Sequence, residues 1–240
     1  MDIEDIRTLR KEFSELPSDL IYVAISGAFV GLNQTPAFPV LVKCILNDHK
    51  PEAAAMLTLC RETVIYGHLF NVESLLNTVT PKTQIYKTLA VAGAPRVING
   101  LTQLANGIKA VDPSITLATL QSRPKEQFLD WRPRGEAFFD IVYDKNTHRV
   151  KSILNSIHPD LLDAILTEQY GRVLSDVSTL NAIYTELGMV ACLRSQGGEV
   201  MKQSESHRRG ALYVGATIQQ VENVEKITDI IVSKFGKGKL

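Results

Sequence analysis

An all-α fold is predicted for this chain on three observations. Apolar residues recur at helical spacing along most of its 240 residues. No strand-period alternation of useful length interrupts them. Pro36, Pro51, Pro95 and Pro159 stand near helix starts, where a missing N–H costs little.

The elements are taken in chain order. Helices are expected near 3–15, 18–32, 37–48 and 51–70, then near 82–92 and 95–110. The stretch from Leu20 to Leu32 is apolar on all sides, but it is too short to span a bilayer and contains Ser26, Gly27 and Gly31. It reads as a buried helix. Asp112-Pro113 and Ser122-Arg-Pro124 bracket an irregular stretch, 111–123, which divides the chain into two helical halves. Beyond it, helices are expected near 124–143, 147–156, 159–170, 178–195, 199–214 and 217–234. The second half, 147–234, is the better patterned. The first, 51–110, echoes it faintly: a Glu in a helix, a small-residue break, then another helix. Residues 1–50 are read as an N-terminal helical extension.

Bulk composition excludes several classes. Lys+Arg and Asp+Glu both number 26, so no basic footprint for nucleic acid or anionic lipid exists. The acidic start, Met1-Asp-Ile-Glu-Asp5, is wrong for a secretory signal or a mitochondrial presequence. Cys44, Cys60 and Cys192 are widely spaced and odd in number, which fits buried thiols in a reducing compartment rather than a disulfide framework. The last tripeptide, Gly238-Lys-Leu240, approximates the Ser-Lys-Leu peroxisomal address; a frayed basic tail on a cytoplasmic protein is the alternative.

The densest chemistry lies between Glu186 and Gly215. On a helical wheel Val200, Gln203, His207, Gly210, Ala211 and Val214 share one side. Small and apolar residues flank the amide and the imidazole. Glu186 sits at the rim of the preceding helix's apolar face, where a carboxyl is partly desolvated and suited to proton transfer. The turn between the helices is short, about Gln196-Gly197-Gly198, so the two should form a hairpin. Glu186 and His207 stand at nearly equal distances from it. They are expected at one height, within hydrogen-bonding reach directly or through one water.

These residues resemble the carboxymuconolactone decarboxylase-like family, whose fold is shared with alkylhydroperoxidase D, and its longer eukaryotic branch in particular. The resemblance is carried by Gly93-Ala-Pro-Arg-Val-Ile-Asn-Gly-Leu101, Trp131-Arg-Pro-Arg-Gly135, His158-Pro-Asp-Leu161, Tyr170-Gly-Arg-Val-Leu-Ser-Asp176 and the Glu186–Gly215 stretch. It spans roughly 55–232, and residues 51–240 are read as the domain of this type. The resemblance implies a helical hairpin in which Glu186 faces His207. Family members with peroxidase activity carry Cys-x-x-Cys before that histidine. Val200 and Gln203 occupy the corresponding positions here. Thiolate chemistry needs a nucleophilic sulfur and a resolving partner, so dithiol peroxidase activity is not expected.

Two functions remain in contention. The first is an enzyme acting on a small acidic or lactone-like molecule by general acid–base proton transfer. In it His207 is the acid/base, Glu186 its orienting partner, and Gln203 and Arg96 the substrate ligands. No organic cofactor is needed, and no metal is expected because no histidine pair has ligand spacing with a carboxylate. The second is a non-catalytic binding or assembly protein in which Glu186 and His207 are a buried pair that fixes helix registry. Either way, the resemblance implies a homo-oligomer, a dimer in the first instance, without membrane or nucleic-acid partners. Arg61-Glu62 is a candidate degenerate second site or an interior ion pair. Trp131 with Arg132 and Arg134 is an anion-stacking group or a loop anchor. His49 and His148 are expected in solvent at loop ends.

Overall fold

A computed structural model describes residues 1–50, 52–66, 99–116, 130–157, 159–177 and 180–236. Among these, every regular element is helical. In chain order they are α1 (Ile3–Glu12), α2 (Ser18–Gly31), α3 (Phe38–Asp48), α4 (Ala53–Tyr66) and α5 (99–111). Next come α6 (Trp131–Tyr143), α7 (Thr147–Ile157), and α8 (Pro159–Ala164), which runs on into a π-helix, Ile165–Leu174. The chain continues with α9 (Ala182–Gln196), α10 (Met201–Tyr213) and α11 (Ile218–Phe235). The helix expected near 82–92 lies outside the described residues, as do the starts of those expected at 95 and 124.

Helix ends obey local rules. Asp2 and Asp5 close a capping box at the start of α1, and Thr217 and Gln220 do the same for α11. Asn181 caps α9 by accepting from the Tyr184 backbone N–H at 2.8 Å. The helix expected over 159–170 reaches Leu174, four residues farther. Its last ten residues adopt π geometry, marked by the Ser175 N–H donating to the Tyr170 carbonyl at 2.9 Å.

The helix α2 is the centre of the molecule. Every residue from Leu20 to Gly31 is buried, as expected of a helix apolar all round. Its chief neighbour is α9. The approach is so close that a Cβ on Gly31 would stand 2.1 Å from the Cys192 carbonyl oxygen. The main core gathers side chains of α1–α5 and α9–α11, among them Phe29, Phe38, Leu57, Leu104, Leu187 and Ile227. A smaller core holds Phe138, Phe139 and Val142 of α6 against Leu166, Tyr170 and Val173 of the π-helix, and it meets α2 at Val23. Arg194 on α9 forks onto Asp229 of α11 with two 2.8 Å hydrogen bonds, a geometry that fixes orientation as well as distance. No described helix is long and apolar enough to cross a membrane.

Candidate functional site

The hairpin of α9 and α10 builds the site. Its turn passes through Gly197 and Gly198, both with positive φ (66° and 62°), a backbone that glycine adopts without strain. The helices then run back along one another and bring Glu186 to His207. The histidine Nδ1 lies 2.8 Å from Glu186 Oε2.

Burial of the pair is asymmetric. The Glu186 side chain has no exposed surface, while His207 keeps 9%. Whatever surface the pair presents therefore belongs to the imidazole. Gly210, one turn after His207, is what admits the carboxylate. A Cβ there would stand 2.7 Å from Glu186 Oε2 and 2.6 Å from Val142 Cγ1. The second carboxylate oxygen, Oε1, is buried without a hydrogen-bond partner. An unsatisfied oxygen in that position is costly and calls for a function, a water or a ligand.

Two tyrosines lie near enough to feel the charge of Glu186. The Tyr170 hydroxyl donates to the Tyr143 hydroxyl at 3.4 Å. Burial is the main cause that raises both phenol pKa values, and the nearby Glu186 charge adds to it. Sequence reasoning did not connect these residues to the site. Tyr170 was visible as part of a motif, but Tyr143 carries no signal beyond its place at the end of α6.

The remaining candidates are dispersed. Gln203, placed by the wheel on the stripe of His207, is exposed; the wheel gives a direction, and at this end of α10 no described helix covers it. Arg96 lies outside the described residues, as do the side chain of Glu62 and His158. Arg61 is buried. The guanidinium groups of Arg134 and Arg172 lie over the Trp131 ring, at 5.8 and 6.0 Å from its centre. Arg132 turns instead to Glu136 and Asp163. His148 is exposed as expected. His49 is not: its ring meets the edge of Tyr22 at 5.6 Å and its Nε2 is buried. The reason is that α3 ends against α2, so the residue that follows its last turn folds inward onto Tyr22.

All three cysteines are buried and none is in a disulfide. Burial pushes the Cys60 thiol up to about 12 and raises that of Cys44 as well. Among the described residues no three histidine, cysteine or acidic side chains converge on a metal-sized site.

Comparison with known proteins decides the family. The chain is 31% identical over 161 residues to Peroxisomal protein 2 of Schizosaccharomyces pombe, a match covering 66% of this chain and 72% of that protein. The chain belongs to the peroxisomal protein 2 family. A second relative, Peroxisomal protein 2 of Saccharomyces cerevisiae, is 30% identical over 171 residues, which span 63% of this chain and 59% of that protein. No family model matches this member, and no solved structure matches it.

Proposed function

We propose that this protein is carboxymuconolactone decarboxylase-like in fold and chemistry, acting on a small acidic or lactone-like molecule by general acid–base proton transfer. The observation that carries this reading is the 2.8 Å contact between His207 Nδ1 and Glu186 Oε2. A carboxylate there accepts from Nδ1–H, holds the ring and leaves Nε2 as the nitrogen that takes and returns a proton. Gln203, exposed one turn before His207, is assigned to an entering substrate, and Arg96 to its anionic group. Proton transfer of this kind needs no organic cofactor. Dithiol peroxidase activity is not part of the proposal, because Val200 and Gln203 replace the two thiols and Cys60 is too weakly acidic to supply a thiolate.

The names of both relatives support a peroxisomal location.

The test is direct. The purified protein is supplied with a five-membered unsaturated lactone bearing a carboxylate, and released carbon dioxide is measured. Turnover by the wild type should fall at least about 100-fold in H207Q, the scale of a lost general acid or base. E186Q should retain an intermediate rate. Full turnover in H207Q overturns the reading.

One observation favours the rival. Glu186 is fully buried and only 9% of the His207 side chain is exposed, as suits a pair that sets hairpin registry in a non-catalytic, oligomeric binding protein. Under that reading the wild type turns over nothing, and H207Q alters stability and assembly alone.

A further inference from the structure

The fold leaves hydrogen-bonding capacity unused around the dyad. Glu186 Oε1 is buried without a partner. His207 spends Nδ1 on Oε2. Tyr170 gives its hydroxyl proton to Tyr143, so the Tyr143 proton is the one still to be donated. The two rings are held firmly. Phe139 stacks on Tyr143 with centroids 4.2 Å apart and meets Tyr170 edge-on at 4.7 Å. Val142, the neighbour of Tyr143, presses on the same Gly210 surface that Glu186 Oε2 touches. Through Val142 the end of α6 meets α10 beside Glu186, and both phenols lie near enough to feel the Glu186 charge. Both remain protonated at neutral pH, since burial chiefly, with the Glu186 charge, raises their pKa.

We propose that Tyr143 is the hydrogen-bond donor of this site, binding the carbonyl oxygen of a substrate that carries an acidic hydrogen on the adjacent carbon, with Tyr170 as its positioning residue. The proposal rests on the acid–base reading of the dyad. His207 Nε2 takes the proton from the carbon next to the carbonyl. The C–H electron pair becomes a C=C bond, and the carbonyl π pair moves onto oxygen. Tyr143 donates to that oxyanion without giving up its proton, and the reverse sequence returns the proton to carbon. No oxidant, reductant or second reactant is required. A donor fixed in a desolvated setting stabilises developing charge without having to reorganise. The substrate class is enolisable carbonyl compounds, lactones and keto acids among them.

The test uses the full chain in D2O with the carboxylated lactone as probe. Loss of its α-proton signal by NMR reports proton abstraction, and ligand-observed titration reports affinity. Phe at 143 keeps the stacked ring, and circular dichroism checks the fold. Y143F should exchange about 100-fold more slowly, the scale of one lost oxyanion donor, with H207Q silent. Should Y143F not fold, Y170F carries the test, since it removes only the hydroxyl that orients Tyr143; a slower exchange is again expected. Wild-type exchange in both tyrosine variants, with H207Q silent, overturns the proposal and leaves the dyad standing. A probe that never exchanges, yet binds more weakly to Y143F, overturns the dyad's role and retains the tyrosine's as a binding group. No binding to the wild type overturns both.

Discussion

Gly210 decides how near α10 lies to Glu186. Alanine there adds one carbon that meets both the carboxylate and Val142 inside 3 Å. Overpacking of this kind typically costs about 1–3 kcal/mol, and G210A should lose that much in urea unfolding while its histidine Nδ1–H resonance moves. A second expectation concerns Cys60, whose thiol lies near 12 through burial. Native protein at pH 8 should resist iodoacetamide at all three buried cysteines, and mass spectrometry should show full labelling only in denaturant. At this scale the sequence was unevenly informative. Glu186 and His207 were legible because both count nearly equally from one Gly-Gly turn. For Gln203 the wheel gave a direction but not that the side chain would be exposed. Tyr143 and Tyr170 lie 27 residues apart on helices that share no short turn, so no local spacing links them.

Among the elements, α1 is fastened to the end of α3 by charge. Arg7 and Arg10 both reach Asp48, at 2.6 and 3.0 Å, and the hydrogen bond from Arg7 holds the Asp48 carboxyl below its ordinary 3.8. A carboxyl depressed in the folded state stabilises fully above its unfolded pKa and loses that contribution as pH falls through the folded one. D48N should therefore be less stable than wild type by a constant margin from pH 7 down to about 5, and the margin should close below about 3.8. Hydrogen exchange in Ile3–Glu12 would locate the loosening. Helix boundaries were largely legible from apolar period, proline and capping residues. The π geometry was not, because ten residues are too few for the apolar pattern to separate one helical pitch from another.

The whole molecule is organised around a helix from near its N-terminus. Residues 1–50 read as an extension, yet α2 lies along α9 and shares its core; apolarity alone revealed that it is buried, but not against what. The homo-oligomer remains a proposal with a plain measurement. Light scattering at micromolar concentration should exceed the 26.6 kDa of one chain and approach twice that value. A fluorescent fusion should collect in peroxisomes, the location proposed from the names of both relatives. The π-helix has a consequence for lineage. Its hydrogen-bonded rings close one residue later than those of an α-helix, so the segment holds the length of a one-residue insertion. A descendant that lost one residue between Ile165 and Gln169 would relax to the tighter coil, and the turns on either side would keep their phase, because the wider turns had only absorbed the extra residue. Tyr170 would keep its side of the helix, whereas the same loss in a regular α-helix, which has no such slack, would turn everything beyond it by about 100°.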